Sequence, residues 1–206
     1  MAGGYEDGYQ AVPCLWGEGP GSLVKIALES GFDPVGANVL DVGAGEGKNA
    51  VHLADLGADV LAIEVSSTAR QNGVTQFGGI PKSVTWRTAD VRESKLGEGV
   101  FDMAIAYGLT HCMANRDEVF ELVEKIQISV RPGGLFVLCA FNDRHQDLTA
   151  HPGFEPTLVP HDEYLGSFAG WRLEHATDED LQESHPHNRI PHVHSMTRII
   201  ARKASD

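Results

Sequence analysis

One stretch constrains this chain more than any other: VLDVGAGEGKNAVHLADLG, residues 39–57. A short apolar run ends in Gly43, Gly45 and Gly47, and Ala50, Val51, Leu53, Ala54 and Leu56 then recur at helical spacing. Strand, glycine turn and helix in that order open a βαβ unit. The glycines let the backbone turn sharply and let a ligand come close to it, which a side chain would block. A second run, DVLAIE, ends in Glu64, twenty-one residues after Gly43. A carboxylate there can accept two hydrogen bonds from a ribose diol, so turn and acid together point to a nucleoside. The turn reads GxGxG instead of the GxGxxG of dinucleotide folds, and no glycine stands at Glu46, which disfavours pyrophosphate binding.

The rest of the chain repeats the alternation. SVTWRT, VFDMAIA and GLFVLCAF read as further strands, separated by segments of helical spacing. Such alternation predicts an α/β fold, a parallel sheet with helices on both faces. The clearest helix runs from about Arg116 to Val130. Val119, Leu122, Val123, Ile126 and Val130 form its apolar face, Asn115 and Glu118 resemble a capping box, and Pro132, Gly133 and Gly134 are expected to stop it. A shorter helix is predicted from near Pro20 to Gly31 and another over Asp162 to Phe168. Two last strands, Trp171 to Ala176 and His194 to Lys203, are joined by a polar segment. At 206 residues, with no internal repeat and no linker, the chain is expected to form one domain. Within it, 1–35 is an amino-terminal cover, 36–141 a cofactor-binding core, and 142–206 a substrate loop with the final strands.

Composition narrows the partners. The net charge is −13 and the 16 Lys and Arg are scattered singly, which argues against nucleic acid. The start lacks the basic and apolar regions of a secretory signal, and no apolar stretch approaches the roughly 20 residues of a membrane span, so a cytoplasmic location without membrane contact is expected. Cys14, Cys112 and Cys139 have no metal or redox spacing and are expected to be reduced thiols, with Cys139 in the core.

In order, the chain carries a strand with a GxGxG turn, an acidic second-strand end, an Ala89/Asp90 pair, FDMAIAYG, and RPGGLFVL. This series, over about residues 38–141, resembles the successive motifs of class I S-adenosylmethionine methyltransferases. Within that superfamily, DVGAGEGKNAVHLADLGADVLAIE, GWRLEH and HSMTRIIARK are similar to the tellurite-resistance, TehB-like group. The resemblance implies a Rossmann-like, mostly parallel seven-stranded sheet with an antiparallel last strand. It also implies S-adenosylmethionine as cofactor, held by Gly43, Gly45, Gly47, Glu64, Asp90 and Tyr107. Ala44 stands where many relatives carry Cys, and neither WGEGPGS nor the 142–160 loop matches that group, so the acceptor is not carried over.

The remaining candidates follow from position. Asp41 pairs with the turn backbone or approaches the methionine amino group. Asp90 accepts from the adenine amino group, Val91 flanks the ring, and Val65 beside Glu64 joins the cofactor set. Tyr107 and His111 lie just past the fourth strand, where the transferred methyl is expected, and are the catalytic candidates, His111 as general base. Tyr5, Tyr9 and Trp16 belong to a segment that folds over the sulfonium, whose charge aromatic faces attract, or staples onto the core. Tyr9, Trp16, His111, His145 and His194 are the expected acceptor contacts, His145 lying with His151 and Phe154 in the 142–160 loop. His185 with His187, and His192 with His194, form two HxH pairs whose alternate residues share a face. That geometry can ligate metal, but the segment has two prolines and one carboxylate, so a substrate-binding or hydrogen-bonding role is expected and no metal.

The expected activity is methyl transfer to a small molecule: a thiol, a chalcogen oxyanion or a specialised metabolite. Alternatives are a non-methylating reaction such as cyclisation or elimination, a noncatalytic S-adenosylmethionine-binding module and, last, a nicotinamide oxidoreductase. A monomer or homodimer is expected.

Overall fold

A computed structural model describes residues 5–186 and 188–205; His187 lies outside them. The helices, in chain order, are α1 (Glu6–Ala11), α2 (Ser22–Glu29), α3 (Lys48–Asp55), α4 (Ser67–Gln76), α5 (Arg116–Ser129) and α6 (His161–Ser167). The strands are β1 (Asn38–Val42), β2 (Asp59–Glu64), β3 (Val84–Thr88), β4 (Phe101–Tyr107), β5 (Val130–Gln146), β6 (Arg172–Glu183) and β7 (His192–Arg202). They form one seven-stranded sheet in the order β3-β2-β1-β4-β5-β7-β6. Strands β1 to β5 pair in parallel, and β7 runs antiparallel to both β5 and β6. The expected mostly parallel sheet with an antiparallel last strand is therefore present.

Apolar residues fill both faces of the sheet. Leu40 and Val42 of β1 join Val119, Leu122, Val123 and Ile126 of α5 in one core. Val39, pointing the other way, packs with Leu23, Val24 and Ala27 of α2 and with Leu53 of α3. The Asn115 side chain caps α5 by accepting from the Glu118 N–H at 3.0 Å, as the capping pattern predicts. Among the described residues, no helix is long and apolar enough to cross a membrane.

Three elements differ from expectation. Strand β5 begins at Val130, so Pro132, Gly133 and Gly134 lie inside an irregular stretch of that strand and do not separate it from α5. The same strand continues past Phe141 to Gln146, where it pairs with His194. Strand β6 continues past Ala176 through the polar DEDLQE to Glu183, which pairs with His192. As the last strand of the sheet, β6 has mostly exposed side chains, and a polar sequence suits it.

Candidate active site

At the carboxyl ends of β1, β2 and β4, the following loops enclose a cavity of about 540 Å³, inside the roughly 300–1,000 Å³ usual for small-molecule sites. Gly43, Gly45 and Gly47 take φ values of 65°, 57° and 86°, the left-handed region that side chains disfavour. Gly43 and Gly45 line the cavity. Gly47 does not: it caps α3, and a Cβ there would fall 2.6 Å from the Trp86 ring.

Glu64, buried at the end of β2, lines the cavity beside the turn. One carboxylate oxygen accepts the Gly45 N–H and the other the Ser66 N–H, each at 2.8 Å. Burial raises its pKa while these two bonds oppose the rise. Each oxygen keeps a lone pair for a further donor. Asp41 is buried below the turn, and neither of its oxygens has a hydrogen-bond partner. The expected pairing with the turn backbone is thus absent. Burial, reinforced by the charge of Glu64, pushes its carboxyl up to about 7. Val65, Asp90 and Val91 all line the cavity. Asp90 is engaged by Arg92, which contacts both carboxylate oxygens and holds its pKa down.

Helix α1 packs beside the turn. Its Glu6 carboxylate accepts from Ser66 Oγ and Thr68 Oγ1, each at 2.6 Å, at the start of α4. Tyr9 and Trp16 line the cavity; the Trp16 Nε1–H donates to the Tyr9 hydroxyl at 3.2 Å, and Lys48 Nζ donates to the Trp16 carbonyl at 3.0 Å. Tyr5 meets Trp16 edge-on at 5.0 Å and Phe154 at 5.6 Å, making one end of the site aromatic. Tyr107 lines the wall, its hydroxyl 3.3 Å from Ser22 Oγ, and burial pushes its phenol up to about 12.

His111 lines the cavity but is oriented against the base role. Its Nδ1 accepts the Phe141 backbone N–H at 3.1 Å, so a neutral ring carries its proton on Nε2, 2.7 Å from the Tyr5 hydroxyl. Burial, then the neighbouring His194 and His151, push its pKa down to about 3. The ring therefore meets the site as a hydrogen-bond donor. Its face stacks on Phe141 at 4.0 Å, and the opposite face of Phe141 stacks on His194 at 4.1 Å.

Two acceptor candidates lie elsewhere. His145 is exposed near the end of β5 and does not line the cavity. His194 is fully buried behind Phe141, where it joins His151, His192 and Glu183. The ligating atoms of these four residues lie within 4.8 Å of one another. His185 stands at their cavity side, with its ring 5.3 Å from that of Trp16.

Comparison with known proteins follows this geometry. Residues 39–134 match the methyltransferase domain family. That match spans just under half of the chain, and the whole sheet has the fold of the solved methyltransferases it resembles. The chain is 26% identical to the malonyl-[acyl-carrier protein] O-methyltransferase of Geobacter sulfurreducens over 89% of this chain and 72% of that one. It spans about half the length of the other curated relatives it matches. Among solved structures, it is similar to the protein described for conversion of a disulfide bond into a thioacetal group during echinomycin biosynthesis. The TM-score is 0.69 at 21% identity, over 97% of this chain and 91% of that one. TehB from Haemophilus influenzae superposes with a TM-score of 0.71 at 16% identity, over 89% of this chain and 62% of that one. These likenesses carry the class I fold; membership of the TehB-like group does not follow from them.

The cofactor that these likenesses support is S-adenosylmethionine, and the residues present fit it. Gly43 and Gly45 expose the turn backbone to the cavity and Glu64 retains acceptor capacity, while Asp41, which does not itself line the cavity, is a buried carboxylate just below the turn. Phe141, which divides His111 from His194, and Glu183, which joins the histidines, were not foreseen. Phe141 ends the predicted fifth strand at the sheet's switch region, and that position is the signal that could have found it. Glu183 was counted as the one carboxylate of the histidine segment, but its place beside His192 follows only from the β6–β7 register.

Proposed function

We propose that this methyltransferase transfers a methyl group from S-adenosylmethionine to a small acceptor whose attacking atom is already a soft nucleophile at neutral pH, with sulfur the foremost case. The observation that carries the reading is that one cavity runs from the glycine turn and Glu64 to Tyr5, Trp16 and His111. When bound, the cofactor supplies an activated methyl on sulfur, so the protein contributes chiefly alignment. Glu64 would accept from the ribose hydroxyls, Asp41 would answer the methionine ammonium through the turn, and Val65 and Val91 would flank the adenine with Asp90 at its amino edge. Tyr9 and Trp16 would present aromatic faces to the sulfonium. Tyr107 and Ser22 would close the wall on the methionine side.

The groups around His111 supply no base at neutral pH, although Glu183 and His185 also line the cavity, and this supports the choice of acceptor. His111 donates, the Tyr107 phenol and the Cys112 thiol are each pushed up to about 12, and burial raises the Tyr5 phenol well above its usual value. An alcohol or phenol needs a proton removed before attack, whereas a thiolate or chalcogen anion does not. The likeness to the echinomycin thioacetal protein and to TehB agrees with sulfur or a heavier chalcogen. The test is S-adenosylhomocysteine release across thiols, chalcogen oxyanions, amines and phenols. Turnover is expected with the first two classes, and efficient turnover confined to phenols would refute this reading.

A further inference from the structure

Behind Phe141, imidazole nitrogens and one carboxylate converge at close range. His151 Nε2 lies 3.1 Å from His185 Nε2 and 3.3 Å from both His192 Nε2 and His194 Nε2. The other nitrogens of two of these rings decide where protons sit. Gln146 Nε2 donates to the Asn142 and Ser195 carbonyls, each at 2.8 Å, which orients the amide and leaves its Oε1 as an acceptor. His194 Nδ1, 2.7 Å from that oxygen, must therefore carry a hydrogen. His192 Nδ1 likewise faces the Ile190 carbonyl at 2.8 Å. Neutral His192 and His194 consequently turn bare Nε2 lone pairs inward. Glu183 Oε1, a third acceptor, lies 3.5 Å from His192 Nε2 and 3.7 Å from His194 Nε2. Two inward imidazole lone pairs and a carboxylate oxygen around the His151 ring make a set of donors suited to a cation.

We propose that His151, Glu183, His192 and His194 bind a divalent first-row transition-metal ion of the zinc class. Donors at about 2.0–2.1 Å from a tetrahedral ion stand about 3.3–3.4 Å apart; four of the ligand pairs lie at 3.3–3.7 Å, and all of them within 4.8 Å. The outward Nδ1–H groups on Gln146 and Ile190 are the outer contacts that orient metal-ligating imidazoles. Three imidazoles and one carboxylate, with no thiolate, suit zinc, iron, cobalt or nickel better than magnesium or calcium, which favour all-oxygen sites. The register that pairs Glu183 with His192 builds half of the site, and the segment between β5 and α6 brings His151 to it. The ion would thus clamp that segment to the β6–β7 pair, behind Phe141 and the acceptor end of the cavity.

The test uses tag-free full-length protein stripped with a chelator and titrated separately with Co²⁺, Zn²⁺, Mg²⁺ and Ca²⁺. One equivalent of Co²⁺ should bind with a dissociation constant well below about 1 μM, with visible d–d bands and no thiolate charge-transfer band in the near ultraviolet. Zn²⁺ should displace it and raise the melting temperature by roughly 10 °C, while Mg²⁺ and Ca²⁺ should do neither. H192N should weaken Co²⁺ by at least about 100-fold, and Q146A, which leaves all four ligands in place, by about 10-fold or more. Cooperative melting and an unchanged circular dichroism spectrum check that each variant is folded. No stoichiometric Co²⁺ or Zn²⁺ binding by the unmutated protein, thiolate-type bands, or equal affinity in folded H192N would each overturn the assignment.

Discussion

At the residue scale, the residues proposed to hold the cofactor were the most legible part of the site because spacing along one βαβ unit places them. Gly43, Gly45 and Glu64 come together for that reason, and Glu64 also holds the turn by accepting the Gly45 N–H. Glu64→Ala should therefore weaken S-adenosylhomocysteine binding about 10- to 1,000-fold, since hydrogen bonds to a charged group contribute about 1.5–3 kcal/mol each. Calorimetry measures it, and unchanged affinity would remove Glu64 from the site. His111 shows what spacing cannot tell. Its position past the fourth strand was readable, but its tautomer depends on the Phe141 N–H, thirty residues away along the chain. His111→Asn should accordingly lower turnover without steepening the pH dependence of kcat above pH 6, because no essential deprotonation is lost. A neutral-range pKa in the kcat profile of the unmutated enzyme that vanishes in the variant would restore the base role.

At the element scale, what was legible is what is periodic. Helix α5 announces itself by Val119, Leu122, Val123 and Ile126, and β1, β2 and β4 by apolar runs. The extensions of β5 to Gln146 and β6 to Glu183 were not, because NDRHQ and DEDLQE are polar and become strands only through pairing with β7. The histidine cluster depends on both extensions and on a loop residue, so it stayed hidden although each histidine was noticed. Helix α4 contains a less obvious constraint. Gly73 is an unfavourable helix residue, yet a Cβ there would lie 2.3 Å from the Glu46 carbonyl oxygen. The helix thus presses on the cofactor turn at that point. Gly73→Ala should cost about 1–3 kcal/mol in urea unfolding despite its better helix propensity, with a loss of S-adenosylhomocysteine affinity as the turn shifts. A more stable variant would mean that α4 is not seated against the turn.

At the scale of the whole molecule, two buried groups set opposing responses to acid. Unfolded His111 takes a proton near 6.5 but the folded ring resists until about 3, so its contribution is present above pH 6.5 and is lost as pH falls toward 3. Asp41 does the reverse: the folded carboxyl protonates near 7 and the unfolded one near 3.8, so folding gains as pH falls between them. Between about pH 6.5 and 4 the two proton counts cancel. Relative to the unmutated protein, Asp41→Asn should therefore lose about 1.4 kcal/mol of stability per pH unit on acidification through that window. Parallel urea titrations from pH 7.5 to 4.5 read this difference, and curves that stay parallel would show that Asp41 is ionised throughout. The same large-scale view gives Phe141 its importance, with one imidazole on each of its faces. A single phenyl screens one imidazole from the other, so shaving it to a methyl would bare the His194 ring to whatever sits beside His111.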